Sequence, residues 1–163
     1  MRLLFMRHAE TEINHLKSDI NRDLTLEGIA QAGRAASFLT KHKIDKIIVS
    51  FVKRTIQTID ILQEINEISN VEIVSELYEG REDDVINLLQ TQDKISQNIL
   101  VIGHNPTIFL TILELIDPST KEYEMLVQSA MTPAKIIIID FPILNDWQDL
   151  RANAGNIIEI FTA

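Results

Sequence analysis

The sequence predicts an α/β fold, a three-layer αβα sandwich on a mostly parallel central sheet. Two features carry that prediction. Short apolar runs alternate with stretches of helical period, as strands joined by crossover helices do. One late run, IIIIDF, is too apolar for a strand with one wet face and so belongs inside the sheet. With 163 residues, the chain has the length of one domain with a sizeable core, residues 1–163.

The strand-like runs are Leu3–Met6, Lys46–Val49, Val71–Val74, Asn98–Ile102, Lys135–Phe141 and Ile157–Phe161. Thr25 can cap a first helix whose apolar face would take Leu26, Ile29, Ala30, Gly33, Ala36 and Leu39. A second runs from about Lys53 to Ile65 with Ile56, Ile59 and Leu62 on one side. Asp83 or Asp84 starts a third through Leu88 and Leu89, and Pro106 suits the first turn of a fourth carrying Ile108, Ile112 and Leu115.

Composition narrows the function. The hydrophobic fraction, 45%, is that of an ordinary globular protein, and no run approaches a membrane span. The start MRLLFM meets an Arg-His pair where a signal peptide would need a small-residue cleavage site, so it reads as a strand. The absence of cysteine excludes disulfides, zinc–thiolate sites and Cys nucleophiles, and a cytoplasmic protein is expected. A net charge of −9 repels phosphate backbones and argues against nucleic acid as a partner.

In folds of this class ligands sit beyond the carboxyl ends of the strands. That rule selects Arg7–His8, Ser50–Arg54 and Gly103–His104–Asn105, so three strand ends deliver two arginines and two histidines. Two planar guanidinium forks suit the oxygens of a phosphoryl group. Two imidazoles beside them can serve as nucleophile and transition-state donor, with nearby positive charge keeping one nitrogen unprotonated. A backbone carbonyl on the other ring nitrogen would fix the tautomer. Phosphoryl transfer needs alignment and charge stabilisation, which such a cluster supplies without requiring a metal or other cofactor.

The stretch RHAETEIN resembles the signature of the histidine phosphatase superfamily (phosphoglycerate mutase-like): Arg-His-Gly, then Glu-Thr, then Asn, with Ala9 in place of glycine. LTLEGIAQA is similar to that family's lead into its first helix. VSFVKRTIQT resembles its Ser-Pro-x-x-Arg-x-x-x-Thr segment, with Phe51 for proline, and LVIGHNP its second-histidine motif. The shortness of the chain, RDLTLEG and GHNP resemble the SixA-like branch of phosphohistidine phosphatases, a minimal core without a cap subdomain.

The resemblance implies a single histidine phosphatase domain in which His8 attacks phosphorus and carries a transient phosphohistidine. Arg7, Arg54 and His104 would hold the phosphoryl oxygens, and Asn14 would reach the same phosphate. It implies a metal-independent phosphatase for phosphohistidine on a signalling or phosphocarrier protein or a histidine phosphotransfer domain. The alternative is a phosphatase of small-molecule or sugar phosphate esters using a glutamate of SELYEGRED as general acid. Glu79 is preferred there over Glu76 and Glu82. A phosphate-binding module without turnover is the third reading, supported by the two departures, Ala9 and Phe51.

Blander roles suit the remaining candidates. Ser50 reads as closing a strand end, Thr58 as packing or orienting near Arg54, and Trp147 as a loop anchor. His15 and His42 lack partners at metal-ligand spacing, and His42 reads as an exposed helix-end residue.

Overall fold

A computed structural model describes residues 1–13 and 16–163. Six strands form one sheet: β1 (Arg2–Arg7), β2 (Lys46–Ser50), β3 (Val71–Val74), β4 (Asn98–Gly103), β5 (Ile136–Asp140) and β6 (Asn156–Phe161). Their order is β3-β2-β4-β1-β5-β6. The pairs among β1 to β4 are parallel, while β5 runs antiparallel to β1 and β6 antiparallel to β5. The isoleucines of β5 are fully buried between β1 and β6, as their uninterrupted apolar run demands. Each such side chain removed from water contributes roughly 1.5–3 kcal/mol.

Alternation along β1 sorts the core. Leu3 and Phe5 join one hydrophobic cluster, Leu4 and Met6 the other, one on each face of the sheet. Helices α1 (Leu26–Leu39) and α2 (Lys53–Ile65) cover the second face. On the first lie α3 (Glu76–Glu79), α4 (Glu82–Gln90), α5 (Thr107–Leu115) and α6 (Lys121–Val127). Trp147 anchors its loop: it is fully buried, and its indole N–H donates to the Ser96 carbonyl at 2.8 Å.

Two helices were not foreseen, α3 and α6, both too short to show a period. Helix α4 begins at Glu82, one or two residues ahead of the aspartates taken as its start. The larger correction concerns α1. Thr25 does cap it, accepting from the Gly28 N–H at 2.9 Å, but the buried stripe is Gly28, Ala32, Ala35, Ala36 and Leu39. Leu26, Ile29 and Ala30 face solvent. Small residues let the helix lie close to the chain beneath: a Cβ at Gly28 would stand 2.0 Å from the Glu10 carbonyl oxygen. His42 is also less exposed than expected, packed on the Phe38 ring with Glu159 3.5 Å away.

Candidate active site

Sheet register builds the site. Arg7 pairs with Gly103 across β1 and β4, so the residues that follow, His8 and His104, leave the sheet side by side. Their ring centroids are 5.0 Å apart. On the other side of β4, Val49 pairs with Ile102, which puts Ser50 level with Gly103. Helix α2 starts just beyond Ser50 and carries Arg54 in its first turn.

Arg54 is 3% exposed and lies between the two imidazoles. Its Nε donates to His8 Nε2 and its Nη2 to His104 Nδ1, each at 3.2 Å. An acceptor at His8 Nε2 leaves the proton on Nδ1, which donates to the Ala9 carbonyl at 2.7 Å. Thus the expected carbonyl is present, and it belongs to the next residue in the chain. By the same logic His104 carries its proton on Nε2 and donates to Ser50 Oγ at 3.0 Å. Ser50 therefore touches a site imidazole besides closing its strand. Thr58 orients rather than reacts, its hydroxyl accepting from the Ala9 N–H at 3.2 Å and donating to the Arg54 carbonyl at 2.7 Å.

Burial comes first in setting protonation. It pushes the His8 pKa down to about 3, with Arg54, Arg7 and Arg22 acting in the same direction against the Ala9 carbonyl. His104 is likewise pushed down to about 3 by burial, then by His8 and Arg54. Both rings are neutral at physiological pH, and the His8 lone pair faces the clamp. Charge repulsion was the cause expected from the sequence; desolvation is the greater one.

Arg7 points its Nη1 at the Met131 carbonyl, 2.8 Å away, and Asn105 reaches the same oxygen at 3.3 Å. The loop carrying Met131 is tied down at Ala134, whose left-handed backbone (φ 56°) aims its N–H at the carbonyls of both Arg7 and His8. Burial and Arg54 lower the Arg7 pKa.

The structure joins His8, Arg54 and His104 by direct hydrogen bonds and sets Arg7 beside them. It does not join Glu79. That residue lies exposed on α3, and among the described residues no hydrogen bond links its carboxylate to the cluster. Its neighbour Tyr78 faces the site instead, edge-on to His104 at 5.3 Å and 5.8 Å from the Arg54 guanidinium carbon. Asn14 and His15 lie outside the described residues.

Three contributors were missed. Arg22 belongs to the RDLTLEG segment, where a third arginine three residues before a helix cap was the available signal. Asp19 binds Arg54, Arg22 and Tyr78, but it stands in a polar loop with no pattern. Tyr78 comes from the same four-residue helix as Glu79.

The depressed imidazole pKa values make stability pH-dependent. An unfolded histidine titrates near 6.5, so between about 6.5 and about 3 the unfolded chain binds more protons than the native one. Stability is full above that window and is lost as pH falls through it, on the order of 1 kcal/mol per pH unit for each ring. Melting temperatures measured from about pH 7 down to about pH 4 will fall, and fall less steeply in His104→Gln. Equal slopes in the two proteins would contradict the buried neutral ring.

An α/β sheet edge that presents two neutral imidazoles and two arginines defines a class of phosphoryl-handling enzymes. The comparisons with known proteins agree. The model described as "Histidine phosphatase superfamily (branch 1)" matches residues 3–83. A candidate phosphohistidine phosphatase SixA from Nakamurella multipartitia is 26% identical, with TM-score 0.85, covering 99% of this chain and 95% of that one. Its counterpart from Agrobacterium tumefaciens is 21% identical (TM-score 0.82), covering 99% and 98%. The protein histidine phosphatase SixA complexed with tungstate is 23% identical (TM-score 0.81), covering 99% and 97%. No curated protein matches the sequence. Residues 3–83 are thus those of the histidine phosphatase superfamily, and the fold of the chain is the SixA-like core without a cap. It is a phosphatase.

Proposed function

We propose that this phosphatase hydrolyses phosphohistidine displayed on another protein, through a phosphohistidine formed on His8 and without a metal. The observation that carries the reading is the His8 ring itself. It is buried and neutral, with its tautomer set by Ala9 and its Nε2 lone pair held against Arg54. The solved structures that share this fold include SixA proteins, one of them complexed with tungstate, a tetrahedral oxyanion like phosphate.

In the first step the Nε2 lone pair forms a P–N bond as the substrate's own P–N bond breaks, and the departing imidazole takes a proton from solvent. In the second step water attacks phosphorus and the P–Nε2 bond breaks, giving inorganic phosphate and the free His8. Arg54 and Arg7 meet the charge on the phosphoryl oxygens, and the His104 Nε2–H, which donates to Ser50 Oγ in the free site, turns to one of those oxygens. Because an imidazole leaves easily once protonated, a strong general acid is dispensable, which suits a site whose hydrogen bonds omit Glu79.

The test is phosphate release in EDTA from a phosphohistidine-bearing protein and from an aryl phosphate, with Glu79→Gln alongside. The expected result is a preference for the phosphohistidine substrate, and a Glu79→Gln rate on that substrate within about threefold of wild type. Preference for the ester, with a steep loss of ester turnover in Glu79→Gln, would instead establish the small-ester reading with Glu79 as acid. Loss of activity in EDTA would overturn the arginine-clamp account.

A further inference from the structure

We infer that Asp19 is a positioning residue that aims the Arg54 guanidinium at the two histidines. The inference rests on the reading of His8 as nucleophile. A guanidinium has two edges on which donors run parallel, and both edges of Arg54 are engaged. The side edge, Nε and Nη2, faces His8 Nε2 and His104 Nδ1. The end edge, Nη1 and Nη2, is gripped by one residue. Nη1 donates to the Asp19 backbone carbonyl at 2.7 Å and Nη2 to Asp19 Oδ2 at 3.0 Å. Gripped along one edge, a planar group cannot rotate, so the direction of the other edge is set.

The same carboxylate gathers the rest of the rim. Oδ2 also accepts from the Tyr78 hydroxyl at 2.9 Å, and Oδ1 from Arg22 Nη2 at 2.5 Å. Tyr78 in turn lies edge-on to His104. Arg54 itself is buried, whereas the Asp19 side chain is 48% exposed, so Asp19 bears on the clamp from the outer side. Among the described residues it is the only carboxylate paired with Arg54.

A carboxyl at this place could alternatively hand a proton to the leaving group. Its surroundings argue otherwise, because every partner of the side chain is a donor and the oxygens are engaged as acceptors. Burial raises its pKa, but Tyr78 and Arg54 outweigh that and hold it below the usual carboxylate range. The proton a general acid would need is absent.

The two roles differ in their dependence on the leaving group. A proton donor matters more as the leaving group becomes more basic, whereas a residue that aims Arg54 stabilises the phosphoryl group whatever is departing. The experiment measures kcat and KM of wild type, Asp19→Ala, Asp19→Asn and Tyr78→Phe on phosphoimidazole and on aryl phosphates of graded leaving-group basicity, with vanadate inhibition beside them.

Asp19→Ala is expected to lower kcat about 10- to 100-fold, by one common factor across the series, with KM changed less than about threefold. Vanadate should bind it correspondingly more weakly. Asp19→Asn, which keeps an oxygen for Arg54, should recover part of the rate, and Tyr78→Phe should lose less, again by a common factor. A loss that grows with leaving-group basicity would overturn the positioning role in favour of proton donation. Rates within about twofold of wild type in both Asp19 variants would overturn it outright. A wild-type rate that His8→Ala leaves untouched would remove the nucleophile reading on which the inference stands.

Discussion

His8→Ala is expected to yield a folded protein that has lost phosphatase turnover by about three orders of magnitude or more. The substitution removes the one atom placed to attack. His8 is 6% exposed, its Nδ1 is committed to the Ala9 carbonyl, and Nε2 alone faces the guanidinium of Arg54. His104 lies 5.0 Å away, ring centroid to ring centroid, and the resemblance gives it the role of holding the phosphoryl oxygens and not that of a second nucleophile. The arginines stay in place, so the variant should still bind vanadate. The loss therefore falls on kcat and not on KM. Rapid quenching and intact-protein mass spectrometry give the decisive contrast. Wild type shows a phosphorylated species that decays in acid, as a phosphoramidate does, and the variant shows none. A phosphorylated species in His8→Ala, or turnover above about a tenth of wild type, would refute His8 as nucleophile.

Much of this site is legible because its residues stand where apolar runs end. Leu3–Met6 must be buried, so an Arg-His pair directly after it marks a sheet edge. The ends of β2 and β4 repeat the signal at Ser50–Arg54 and Gly103–His104. What the linear sequence withholds is register. Only the pairing of Arg7 with Gly103 brings two histidines 96 positions apart into ring contact, and only that of Val49 with Ile102 lifts Ser50 to His104.

The misreadings have physical causes too. Period templates weight large apolar residues, and they assigned Leu26 and Ile29 to the inner face of α1. Close approach of the helix to Glu10 requires the Gly28 and alanine stripe instead. Asp19 and Tyr78 meet across 59 positions, from a polar loop and a helix of a single turn, neither of which has a periodic signature. On that turn one position rotates a side chain by about 100°, which separates Tyr78 at the site from exposed Glu79.

The two departures from the family's motif have local explanations. Ala9 avoids the left-handed region that would call for glycine, since among the described non-glycine residues only Ala134 and Asn153 enter it. Phe51, where proline is usual, packs edge-on against Tyr78 at 5.5 Å and so supports the wall beside His104. Both substitutions are thus accommodated by the fold. Arg7, His8, Arg54 and His104 each keep hydrogen-bond partners at the site.

Arg54→Lys should cost about 10²- to 10³-fold in kcat, although it preserves the formal charge. The argument lies in the number and direction of donors. Arg54 addresses His8, His104 and both the carbonyl and carboxylate of Asp19 through three nitrogens in one plane. A lysine ammonium is a single point on a flexible stem, and it can stand near either imidazole or near Asp19 without bridging them. Burial at this position would also favour the neutral amine, removing the charge just where phosphoryl oxygens need it. Vanadate inhibition should weaken in parallel with kcat, because a trigonal-bipyramidal anion depends on the same donors as the transition state. KM for an aryl phosphate should rise by a smaller factor, since Arg7 continues to supply a guanidinium at the pocket. If Arg54→Lys kept more than about a tenth of the wild-type kcat, charge alone would suffice. The planar bridge between the histidines would then be incidental to the chemistry.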